Sequence, residues 1–137
     1  SQCFVLCAYG ILAKLTKEDF REDYRPFLGD LHKNCTDQTG ISDEEVKNLK
    51  DGIFDHNEKA TCFTKCLLVG SEILNDEGKL NEDPFKNIET DEVRKRVQKS
   101  YEAAYSIADK LGYDDLCNKS YALVQGLYLS DPGDFFV

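Results

Sequence analysis

Cys62 and Cys66 carry the clearest chemistry in the sequence. They stand four residues apart in Thr61–Ile73, a stretch whose Phe63, Leu67, Leu68 and Val69 read as a helix. Side chains at i and i+4 leave one helical face side by side, so the two thiols point away from the helix and not easily at each other. The chemistry open to them is oxidative cross-linking to other segments, where Cys35 and Cys117 lie. Four cysteines allow three pairings, and the spacing disfavours only the one joining Cys62 to Cys66. Six cysteines in 137 residues, unevenly spaced and without paired CxxC motifs, fit an oxidising compartment, and the chain reads as secreted. Zinc is not expected, because His56 is the only histidine near the pair and no second CxxC completes a ligand set. A redox pair would itself need CxxC.

Other candidate chemistry fails on spacing. Asn75 through Asp83 is acidic enough to suggest a calcium loop. With Gly78 at loop position 6, however, Ile73 and Pro84 fall at positions 1 and 12, where carboxylates are required. That segment reads as a solvated turn. His32 and His56 lie in polar stretches with no Ser/His/Asp grouping, so both read as surface histidines and no enzyme is expected. Nor is a cofactor. A net charge of -9 argues against nucleic acid, and no apolar run is long enough to span a membrane.

The elements that must position the cysteines read as helices throughout. Residues 2–13 form an apolar block, either the back half of a signal peptide or a mature extension that must bury its surface; residues 14–137 form one domain. Thr16 with Asp19 caps a helix carrying Phe20, Tyr24, Phe27, Leu28 and Leu31 up to Cys35, which Pro26 should bend or split. Ser42 and Glu45 form a second capping box before a short helix that Gly52 stops. Asn57 caps the central helix, expected to reach about Leu74. Asp83 and Pro84 open a short helix, Thr90 a long one ending near Gly112, and Asp115 a last one broken by Asp131, Pro132 and Gly133. The fold class is all-α, with about six helices.

Aromatic residues gather in the last third beside small ones. Tyr101, Tyr105, Tyr121, Tyr128, Phe135 and Phe136 share inward positions with Ala104, Ala108 and Ala122. Such a mixture suits an ordinary filled core. It equally suits a bundle enclosing a cavity with a few phenolic hydroxyls to orient a ligand.

Cys35, the run Thr39–Glu45, Lys50–Phe54, Cys62–Cys66 and Leu74–Leu80 together resemble the insect odorant-binding protein family of pheromone and general odorant carriers. The resemblance covers about Leu15 to Val137, ending on Tyr128 through Phe136. It implies a compact bundle of about six helices around an apolar cavity, with first-to-third and second-to-fifth cysteine bridges, here Cys35–Cys66 and Cys62–Cys117. The family's third bridge, fourth to sixth, would fall near Ala104 and at Gly126, and neither is a cysteine. Cys3 and Cys7 have no family counterpart; they can pair with each other in a non-helical turn, or between chains.

The resemblance also implies a function. The chain is expected to carry a small hydrophobic ligand, such as an odorant, a pheromone or a related lipid, and to meet a chemosensory receptor as a monomer or weak homodimer. The expected ligand-binding residues are Leu67, Ile73 and Leu74, then Phe85 and Ile88, then Val97, Tyr101, Ala104, Tyr105 and Ala108. They continue with Tyr121, Val124, Leu127 and Tyr128, and the tail residues Phe135 and Phe136 should fold back over the cavity mouth. The alternatives are a salivary or venom scavenger of host mediators on the same fold, and a helical interaction protein with a filled core.

Overall fold

A computed structural model describes residues 15–130. Five α-helices make up most of it: α1 (Arg25–Thr39), α2 (Asp43–Lys50), α3 (Glu58–Gly70), α4 (Asp91–Lys110) and α5 (Leu116–Ser130). Two 3-10 segments, Lys17–Asp19 and Asp83–Asn87, complete the element order, and two isolated antiparallel bridges are the extended pairings among the described residues.

Local capping chemistry sets most helix starts. Ser42 and Glu45 satisfy each other's backbone N–H groups at 3.1 Å and open α2. The Asn57 side-chain amide oxygen accepts from the Ala60 N–H at 2.9 Å to open α3, and the Asp115 carboxylate accepts from the Asn118 N–H at 2.8 Å at the head of α5. Each satisfies a backbone donor that has no partner inside the helix.

Two boundaries differ from the expected ones. Thr16 and Asp19 do form a capping box, but it opens a single 3-10 turn and not a helix reaching Cys35. The chain then pairs Phe20 with Ile88, through Arg21 N–H to the Asn87 carbonyl and Glu89 N–H to the Asp19 carbonyl, both 2.8 Å. Helix resumes at Arg25 with Pro26 in its first turn, where a missing N–H costs nothing. The central helix α3 likewise stops at Gly70, short of Leu74. Glu72 takes a positive φ of 66°, turning Ile73 and Leu74 back toward the interior.

Two cystines tie α3 to its neighbours. Cys35–Cys66 joins it to α1 and Cys62–Cys117 to α5, with Cα atoms 5.6 and 4.5 Å apart. This is the pairing the family resemblance implied. One core cluster, including Leu68, Phe85, Val97, Ala104, Leu123 and Leu127, fills the space between α3, α4 and α5. A second, with Val46, Leu49, Phe63 and Tyr121, seats α2 on α1, α3 and α5.

Candidate functional site

A cavity of about 310 Å³ opens between the entry segment, α1, the end of α3, the Asp83–Asn87 turn and the first half of α4. Its size falls at the lower end of small-molecule pockets. Leu15, Leu68, Phe85, Ile88, Val97 and Tyr101, all buried, make the inner wall. Phe20, Leu28, Leu31, Leu67 and Ile73 continue it outward, and the exposed Lys17, Gly29 and Lys50 form the rim.

Backbone contacts made by two arginines hold the wall. Arg25 donates to the Phe20 carbonyl at 3.1 Å and the Glu18 carbonyl at 3.2 Å, fixing the entry segment on α1. Arg94 donates to the Ile88 carbonyl at 2.7 Å and pairs with Asp91. Inside, the Phe85 and Tyr101 rings pack with centroids 5.0 Å apart.

His32 is a half-buried polar group in this apolar surface. Its ring meets Phe63 edge-on at 5.6 Å, and Nε2 is buried without a hydrogen-bond partner among the described residues. Burial holds its pKa below the ordinary histidine value; the positive charge of Lys50 adds to the effect and Asp43 opposes it. In the neutral imidazole Nε2 either carries the proton or offers a lone pair, according to the tautomer.

The family model of the PBP/GOBP family matches residues 16–128, most of the chain. The chain belongs to the PBP/GOBP family. It is 28% identical over 122 residues to General odorant-binding protein 72 of Anopheles gambiae, covering 86% of this chain and 95% of that one. General odorant-binding protein 19d of Drosophila melanogaster is 28% identical over 81 residues, a match spanning 58% of this chain and only 54% of the relative. Among solved structures, Odorant Binding Protein 4 of Chrysopa pallens superposes with a TM-score of 0.65 over 90% of this chain and 98% of its own, at 24% identity, which establishes the shared fold.

In this PBP/GOBP chain the structure divides the residues expected around a ligand. Leu67, Ile73, Phe85, Ile88, Val97 and Tyr101 come together on the cavity wall. Leu74, Ala104, Ala108, Val124 and Leu127 are buried in the core behind it, and Tyr105 lies under the Lys119 ammonium, 4.9 Å from the ring centre. Tyr121 packs edge-on against Phe54 and His56, and burial pushes its hydroxyl up to about 12. Tyr128 donates to the Asp51 carbonyl at 3.2 Å. Phe135 and Phe136, the expected lid, lie outside the described residues, as do residues 1–14 with Cys3 and Cys7.

The physical reason for the division is the size of the side chains on α4 and α5. Of the two arrangements the alanines suit, Ala104 takes the packed one: it lets the two helices close on each other, directly against Gly126. The void is left where α1 crosses wide residues of α3 and α4. His32 corrects the surface reading of that histidine. Its neighbours Lys33 and Asn34 are exposed, but Leu28 and Leu31, one turn and one residue before it, already marked the inward face of α1.

Proposed function

We propose that this protein is a non-enzymatic, secreted carrier that holds one small hydrophobic molecule in the cavity between α1, α3 and α4. The observation that carries the reading is the apolar wall of Leu68, Phe85, Ile88, Val97 and Tyr101 around about 310 Å³. Burial of ligand surface against such a wall supplies affinity, and one or two hydrogen bonds set orientation. The cavity favours a carrier over an interaction protein with a filled core. The two cystines suit an oxidising, extracellular setting, and among the described residues no helix is long and apolar enough to cross a membrane.

The test is saturable uptake of the fluorescent apolar amine N-phenyl-1-naphthylamine, followed by its displacement with decan-1-ol. Replacing Val97 by Trp should fill the inner wall and abolish uptake while leaving the helical circular dichroism intact. A native chain that takes up no probe is not a carrier.

A further inference from the structure

The charge on the cavity wall runs against the charge of the chain. Among the lining residues the ionisable groups are Lys17, His32, Lys50 and the phenol of Tyr101, with no aspartate or glutamate. In the whole sequence 26 acidic residues outnumber 17 basic ones. A wall drawn at random from this composition would carry more carboxylates than ammonium groups.

All three basic groups line this one cavity. The Lys17 Nζ lies 3.7 Å from where a Cβ on Gly29 would stand, so its charge hangs over the turn of α1 that carries His32. Lys50, at the end of α2, is close enough for its charge to act on His32. Neither lysine belongs to an ion pair among the described residues, whereas Lys33, Lys47 and Lys119 each have a carboxylate partner. Asp43 is the one carboxylate felt at His32, and it does not line the cavity.

We propose, building on the carrier reading, that the ligand is a monocarboxylic acid with an aliphatic tail, its carboxylate held at the rim by Lys17 and Lys50 with His32 Nε2–H donating to it. The tail lies among Phe85, Ile88 and Val97. A carboxylate answers three features at once: two ammonium groups that lack an anion and a buried ring nitrogen that lacks a partner among the described residues, and an apolar interior behind them. A buried polar atom left unpaired is costly, and a ligand that supplies its partner removes that cost. An anion between two ammonium groups forms charge-assisted hydrogen bonds, which are stronger than those an alcohol makes.

The experiment is calorimetric titration of the full chain at pH 7.5 and low ionic strength with decanoic acid and, separately, decan-1-ol, which differ only in the head. The acid should bind about tenfold more tightly than the alcohol. That advantage should shrink as salt is raised to screen the lysines. The double variant K17Q/K50Q should bring the acid-to-alcohol ratio close to one, and His32→Gln should lower it. Lys33→Gln, which removes a cation paired with Asp37 away from the cavity, should leave the ratio as it was. Equal affinity for both compounds in the native chain overturns the acid-head assignment while the carrier reading stands; a ratio that survives K17Q/K50Q overturns it as well. Binding of neither compound overturns both readings.

Discussion

The Ala104 Cβ lies 3.6 Å from the point where a Cβ on Gly126 would stand. That is a cystine's Cβ–Cβ separation, close to where the family resemblance places a fourth-to-sixth cysteine bridge. Here α4 and α5 meet through two of the smallest side chains available, so the contact survives without the covalent bond. Close packing of the backbones takes its place.

The first prediction restores that bond. In A104C/G126C the two thiols should disappear on oxidation, and closing a 22-residue loop should add about 3 kcal/mol of stability. The oxidised variant should melt at a higher temperature than A104S/G126S, which keeps the two native cystines but cannot form this one. In the native chain, amides of α4 and α5 near Ala104 and Gly126 should exchange faster than those around Cys62. Free thiols persisting in the oxidised variant would show that the side-chain directions do not suit a cystine.

The second concerns the two cystines that are present. They close sequence separations of 31 and 55 residues, worth about 4 kcal/mol each in the chain-entropy description. A domain of this size has about 5 to 15 kcal/mol in total. Reduction should therefore remove most of the helical circular dichroism at 37 °C. Cleavage and mass spectrometry of the oxidised chain should join Cys35 to Cys66 and Cys62 to Cys117, and any other linkage would refute the assignment.

The third rests on Gly52, which has a φ of +78° and would drive any Cβ into the Tyr128 ring. Gly52→Ala should cost roughly 2 to 4 kcal/mol, from the left-handed backbone and from the overlap together. Combined with Tyr128→Ala, the same substitution should cost less, because only the backbone part remains. Additive effects in chemical denaturation would mean that Tyr128 moves aside freely.

How much of this was legible in the sequence depends on how local each feature is. Ser42, Asn57, Thr90 and Asp115 act within one helical turn of themselves, and each opens its helix as read. The helix begun at Thr16 fails because its successor residues find a better partner far along the chain, Phe20 against Ile88, which no local pattern reveals. The cavity is less local still. Its wall joins Leu15 to Tyr101, and its position follows from where α1 lands once Cys35 is fixed to Cys66. Ala104 and Ala108 suit a filled core and a cavity equally well in the sequence; Ala104 lies where α4 and α5 close on each other, and a side chain's size alone does not say which will happen.

The last prediction concerns acid. His32 has its pKa held below the ordinary value, first by burial, then by Lys50, against the pull of Asp43; Lys17 lines the same cavity, with its Nζ over Gly29. The folded chain thus binds a proton at His32 less readily than the unfolded chain does. Linkage gives the sign: stability is at its full value above the unfolded histidine pKa of about 6.5 and falls as pH drops from there through the lower folded value. Glu45, held low by the Ser42 backbone, Asp109 by Lys119, and Asp115 by the Asn118 backbone have the opposite charge type. Their contributions are present above ordinary carboxylate values of about 4 and fade only on further acidification. The two windows are therefore separable. Between pH 7.5 and 5.5 the melting temperature of the ligand-free native chain should fall more than that of His32→Gln, and below pH 4.5 both should fall together. Parallel curves across the upper window would show that His32 titrates alike in the folded and unfolded chain, and the account of its burial would have to be abandoned.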